Sequence, residues 1–236
     1  MAPILKPKPH LRPAMLHNGD CMSQAEFHRA YSLSPEGFRA ELVGGTVLVA
    51  SPMLADHGEF HSPLMTLFGN HESETAGVTS GDNSTLILGD RSEPQPDAYL
   101  RILPEFGGQA KVNENGYIEG PPELVAEIAL SSYSVDLHSK REDYAENGVH
   151  EYLVLSIRER RLHWFDLPKN VEHDLTSDGV CRLRSFPGLW IHVPSLIARD
   201  LKKLNRTLRK GIRSPAHAAF VRKLAATKRR HLPTDQ

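Results

Sequence analysis

Cysteine is almost missing: 236 residues contain two, Cys21 and Cys181. Two cysteines cannot build a disulfide framework, and these have no partner spacing for zinc. A reducing cytoplasm is therefore the default compartment. No apolar run approaches the roughly 18 to 20 residues needed to cross a membrane, so no membrane association is expected. The first ten residues, Met-Ala-Pro-Ile-Leu-Lys-Pro-Lys-Pro-His, are too broken by proline for a signal-peptide core. There is no internal repeat and no low-complexity block. Several catalytic signatures are absent as well. Gly77 to Gly81 is not followed by the Gly-Lys-Ser/Thr of a phosphate-binding loop. Ser131, Ser132 and Ser134 lack a Gly-x-Ser-x-Gly elbow and read as caps for the helix that follows. His57 and His61 have a zinc-compatible spacing, but Gly58 stands where a metalloprotease needs glutamate. They read as a satisfied or exposed pair.

What remains is the composition of an ordinary globular chain, 39% hydrophobic and 24% charged. The net charge of -1 conceals an asymmetry. Residues 199–236 carry 12 Lys+Arg against 2 Asp+Glu, which leaves 16 against 27 for the first 198 residues. A basic tail of this kind either holds nucleic acid through its phosphates or complements the protein's own acidic body.

Hydrophobic periodicity outlines the elements. Residues 1–22 read as a flexible, Pro- and His-rich extension. A short helix is expected over 23–31, with Ser23 and Glu26 placed as a capping box. Residues 41–50 read as a hairpin turning at Gly44-Gly45. An amphipathic helix is expected over 56–74, with Phe60, Leu64, Leu67 and Phe68 on one face. Strands are expected at 84–88, 97–103 and 124–130, a polar loop at 104–122, and a helix at 135–147 ended by Gly148. Strands at 150–157 and 161–167, weaker ones near 181–186 and 189–193, and helices from 194 and over 215–230 complete the chain. Tyr144 and Tyr152 read as half-buried packing residues, and Glu151 as a strand residue pairing with a helix lysine. This order argues for an α/β (α+β) fold, a mixed sheet flanked by helices.

One strand carries an energetic anomaly. Glu127 lies inside Glu-Leu-Val-Ala-Glu-Ile-Ala-Leu (123–130), otherwise apolar, and a buried carboxylate is normally paired, protonated or bound to metal. Asp97 opens a second apolar strand. Two carboxylates on neighbouring strands, with the Ile128 carbonyl, form a sufficient protein contribution to Mg²⁺, which keeps several waters. Lys140, on the following helix, supplies a cation. Asp136, Lys140 and Tyr144 share a helix face at i, i+4, i+8, and from spacing alone the first two are an exposed ion pair.

The succession of motifs resembles the Uma-type restriction-endonuclease-like family of the PD-(D/E)XK nuclease superfamily. It runs through Glu41-Leu-Val-Gly-Gly-Thr-Val, Ser51-Pro52 with His57, Pro96-Asp97, and Pro122-Glu-Leu-Val-Ala-Glu127-Ile-Ala-Leu-Ser131. It ends with Lys140-Arg-Glu-Asp-Tyr144-Ala-Glu-Asn-Gly148-Val-His-Glu151-Tyr152. The similarity covers about residues 31–197 and implies a restriction-endonuclease-like domain over 23–198, with an added β-rich portion and a basic helical tail over 199–236. It implies metal-dependent cleavage of DNA with Mg²⁺ or Mn²⁺, and a homodimer where both strands are cut. Asp97 and Glu127 match the metal-binding acids, Glu41 looks like an upstream acid completing the metal shell, and Lys140 matches a displaced lysine. His57 is placed to contact phosphate or to orient Glu41. The wider superfamily carries its lysine two residues after the second acid, where this chain has Ala129. An inactive nuclease-fold module that binds nucleic acid or a partner protein is the alternative.

Overall fold

The computed structural model describes residues 15–130 and 132–231. The chain begins with α1 (Gln24–Tyr31), the hairpin β1 (Ala40–Val43) and β2 (Thr46–Val49), and α2 (Ala55–Ser73). Then come β3 (Val78–Gly81), β4 (Leu86–Ile87), β5 (Ala98–Ile102), β6 (Lys111–Val112), β7 (Ile118–Glu119) and β8 (Leu124–Ala129). A π-helical turn, Val135–Ser139, leads into α3 (Lys140–Glu146). Strands β9 (Glu151–Ser156), β10 (Arg161–Asp166), β11 (Val171–Glu172), β12 (Val180–Arg182) and β13 (Trp190–His192) follow. Helices α4 (Val193–Ile197), α5 (Leu201–Ile212) and α6 (Pro215–His231) close it.

The main sheet has six strands in the order β11-β10-β9-β8-β5-β3. Only β8 and β9 run parallel, joined by the crossover through α3, so the sheet is mixed. Side chains alternate across it. Leu124, Ala126 and Ile128 face a core that holds Leu64, Leu67 and Phe68 of α2 and the apolar residues of α5 and α6. Val125 and Ala129 face the opposite core, with Tyr144 of α3 and Tyr152 of β9. A third cluster joins Phe27 of α1 to Leu42 and Val47 of the hairpin.

Local chemistry fixes these elements. Ser23 and Glu26 form the capping box of α1: the Ser23 hydroxyl accepts from the Glu26 amide and the Glu26 carboxylate from the Ser23 amide. Gly44 and Gly45 turn the hairpin with φ of 57° and 85°. At Gly211 of α5 a Cβ would lie 2.2 Å from the Gly188 carbonyl, so only glycine lets this helix approach β13 so closely.

The structure revises several local expectations. Residues 1–14 of the supposed extension lie outside the described residues. Residues 15–22 are not loose: Leu16 is buried, and the Gly19 and Met22 amides donate to Val47 and Gly45 carbonyls. The strand expected at 84–88 shrinks to β4, while β3, hidden in a Gly- and Ser-rich run, supplies a sheet edge. The polar loop 104–122 contains β6 and β7, which form a small three-stranded sheet with β4.

Candidate active site

Register brings the two acids together. β5 and β8 pair antiparallel with Ala98 opposite Ala126, so the next pair along is Asp97 opposite Glu127. Both point to the α3 side of the sheet. Directly opposed residues have Cβ atoms about 4.5–5.5 Å apart. The Asp97 amide donates to Glu127 Oε2 at 3.3 Å, and the Ile128 amide donates to Asp97 Oδ2 at 2.7 Å. In a strand the amide and carbonyl of one residue share an edge. The Ile128 carbonyl therefore faces the β5 edge beside Asp97.

Lys140 enters over these acids from the start of α3. Its Nζ lies 2.9 Å from Glu127 Oε1, 2.8 Å from Glu41 Oε2 and 3.9 Å from Asp136 Oδ1. Glu41 arrives from β1, and its other oxygen accepts from the Gln95 amide at 2.9 Å. The hairpin is tied to α3 by Asp143, whose carboxylate accepts from the Gly44 amide and the Ser92 hydroxyl. His57, near the start of α2, places Nε2 3.0 Å from Asp97 Oδ2, and His61, one turn later, reaches the Asp97 carbonyl at 2.7 Å. Glu41, His57, Asp97, Glu127, Ile128 and Lys140 line one cleft of about 810 Å³.

The electrostatics are unbalanced. Glu127 and Lys140 are 3% and 6% exposed. Burial pushes the Glu127 carboxyl well above the carboxylate range against the pull of Lys140. Burial also works against the Lys140 ammonium, yet Glu127, Glu41 and Asp136 outweigh it and hold Lys140 charged. Burial raises Asp136 to about 6. Asp97 goes the other way: burial is overcome by the hydrogen bond and charge of His57 and the Ile128 amide, so its carboxyl stays below its ordinary value. The hydrogen bond to Asp97 in turn raises His57. Four carboxyl groups thus surround two cations in a largely buried cleft; with all four ionised the excess would be two negative charges, and burial holds Glu127 back from that state. Hard oxygen donors with that excess fit a divalent cation such as Mg²⁺. Among the described residues, no three of His, Cys, Asp and Glu already converge as a ready-made metal cage. Lys140 stands between Glu41 and Glu127.

A family model described as "Uma2: Putative restriction endonuclease" matches residues 24–194. The chain belongs to the Uma2 family. It is also similar to a crystal structure described as "a putative nuclease belonging to DUF820" from Anabaena variabilis. That match has a TM-score of 0.59 at 16% identity and covers 75% of this chain and 98% of the other. No curated protein matches. The likeness establishes a nuclease fold, the restriction-endonuclease-like mixed sheet flanked by helices that the motifs implied.

The structure corrects five residue readings in this Uma2 chain. Asp136 and Lys140 are not an exposed pair; both are buried, and Ser132 donates its hydroxyl to Asp136 instead of capping the helix. Tyr144 is fully buried and donates to Glu127 Oε1 at 2.9 Å, while Tyr152 donates to the Asp136 carbonyl at 3.0 Å. His57 sits against Asp97, not Glu41. Glu151 lies away from the cleft and, among the described residues, pairs with no lysine: its carboxylate accepts from Trp164 Nε1 and from the Arg184 and Ser185 amides. The signal for Tyr144 was available, since it lies one turn after Lys140 on the same helix face.

Proposed function

We propose that this protein hydrolyses phosphodiester bonds in DNA with Mg²⁺ or Mn²⁺ held by Asp97, Glu127 and the Ile128 carbonyl, Glu41 completing the shell. The observation that carries this reading is the position of Lys140 Nζ, within 3 Å of both Glu127 and Glu41 and across from Asp97. A helix-borne lysine there does the work that a strand-borne lysine does from the position of Ala129. When bound, the cation supplies charge neutralisation at the phosphate and acidity to a water. Lys140 positions the attacking water or stabilises charge developing on the phosphoryl oxygens. His57 keeps Asp97 ionised and aimed, and Tyr144 fixes the Glu127 carboxylate. Cutting both strands calls for two copies, so a homodimer on DNA is the expected assembly.

Supercoiled plasmid with Mg²⁺ or Mn²⁺ tests this reading. Wild type should nick it, and Glu127→Ala and Lys140→Met should not. Absence of nicking by wild type, or equal nicking by Glu127→Ala, would end it. The alternative, a module that binds without cutting, draws on one observation: Lys140 already partners Glu41 and Glu127. Melting with added Mg²⁺ or Mn²⁺ separates the two. At about 100 times the dissociation constant a bound ion stabilises by roughly 2.7 kcal/mol. That shift should appear in wild type and vanish in Glu127→Ala.

A further inference from the structure

Helix α5 lies beyond the segment matched by the family model and has no part in the cleft. Asp200 caps it, its carboxylate accepting from the Lys203 amide at 3.0 Å. Its apolar residues Leu204 and Leu208 are buried in the main core. Its opposite face carries Lys202, Lys203, Arg206, Arg209, Lys210 and the following Arg213, all exposed. At 3.6 residues per turn these six fall within an arc of about 120°, on a helix about 18 Å long. Among the described residues none of the six side chains makes an ion pair or hydrogen bond. The acidic body therefore does not neutralise them; among the described residues the one tail-to-body ion pair is Arg199 with Glu59.

That ion pair also sets the position of the stripe. Glu59 is on α2 two residues past His57, which holds Asp97. Further along, Thr75 just after α2 meets His217 of α6 at 2.9 Å. Helix α5 thus starts beside the cleft end of α2 and follows it away from the site. We infer that the exposed basic face of α5 is a docking surface for the phosphate backbone of duplex DNA, continuous with the cleft. The body before the tail is acidic, 27 Asp+Glu against 16 Lys+Arg, and disfavours DNA, so the unpaired stripe guides where the duplex lies. It binds without reading bases, because it offers charge along a line. A membrane surface suits the helix less well. Interfacial helices insert an apolar face, and here that face is already buried in the protein.

This inference rests on DNA as the substrate, and binding can be read apart from cutting. A short labelled duplex is titrated in EDTA and followed by fluorescence anisotropy across a salt series. In Lys203→Ala/Arg206→Ala/Lys210→Ala each lost phosphate contact reduces the salt slope by about 0.9 and affinity by up to about 8-fold at ~0.1 M salt. The triple variant should lose on the order of 100-fold. Its melting temperature should not move, since the residues are exposed and unbonded. Arg222→Ala/Lys223→Ala on α6, the comparison variant, should lose far less. The docking surface is refuted by undiminished binding in the α5 variant or by an equal loss in the α6 variant. It is also refuted if wild type captures anionic vesicles but not duplex. Stripe-dependent binding without plasmid nicking would leave the docking surface standing and remove the nuclease reading.

Discussion

Lys140→Met tests the charge arithmetic of the cleft directly. Methionine keeps an unbranched apolar stem of similar length but removes the ammonium that faces Glu127, Glu41 and Asp136. Glu41 is the more exposed of the three and can turn to water, whereas Glu127 cannot. Lys140 is the group that opposes protonation of Glu127, and without it Glu127 would fold fully protonated. From an unfolded pKa near 4.3, holding that proton at pH 7 costs about 1.4 kcal/mol per unit, or about 3.7 kcal/mol. Breaking a buried ion pair by removing one partner typically costs about 3–5 kcal/mol, in agreement. For a chain of this size the loss is roughly 7–15 °C of melting temperature. The sign of the pH dependence is the sharper test. A raised folded pKa means that the folded state binds the proton more tightly than the unfolded state. The variant's deficit is therefore smallest near the unfolded pKa and grows as pH rises. Urea denaturation in EDTA should show a deficit that grows with pH, from at most about 1 kcal/mol at pH 5 to at most about 3.7 kcal/mol at pH 7. An equal deficit at both values would mean that lysine contributes packing, not charge, and the electrostatic account of the site would be wrong.

Two further predictions concern the seat of the site. Tyr144→Phe deletes the hydroxyl that donates to Glu127 and should lower metal-free stability by about 0.5–1.5 kcal/mol, the net range for a buried hydrogen bond, as measured by urea denaturation. A change below about 0.5 kcal/mol would show that Glu127 does not depend on it. Asp143, raised by burial from 3.8 to about 6, binds its proton more tightly when folded, so its contribution to stability falls as pH rises between these values. Asp143→Asn should flatten the stability curve in that window, and a steeper curve in the variant would refute the assignment.

The acids were legible in the sequence because short apolar runs identified β5 and β8 as strands and exposed Glu127 as a charge inside one. Their opposition was not, since it follows from the register of Ala98 with Ala126. The motifs named Lys140, but spacing alone made it a solvent-exposed pair with Asp136. Burial there is a tertiary fact: the hairpin, tied down through Gly44 and Asp143, covers the start of α3. Strand β3 escaped notice because Thr-Ser-Gly carries little strand signal, and it pairs as an edge against the strongly apolar β5. Residues 15–22 read as loose because their hydrogen bonds go to a hairpin more than twenty residues away.

The displaced lysine has a packing reason. Ala129 is 1% exposed, within the same cluster as Leu137, Tyr144 and Tyr152. A lysine there would drive four methylenes and a charge into space that those side chains fill, with overpacking and desolvation both opposing it. The π-helical turn offers another route. The Lys140 amide donates five residues back to the Val135 carbonyl, and Tyr152 takes the Asp136 carbonyl, so the helix opens on the cleft where Lys140 leaves it. A strand-borne lysine would be held to its acid by the strand itself. Here the Lys140–Glu127 distance is set by how α3 seats on the sheet, through Tyr144, Tyr152 and the Asp143 tie. Substitutions at these seat residues should therefore act on the site from a distance, even where they touch neither Asp97 nor the metal-binding edge.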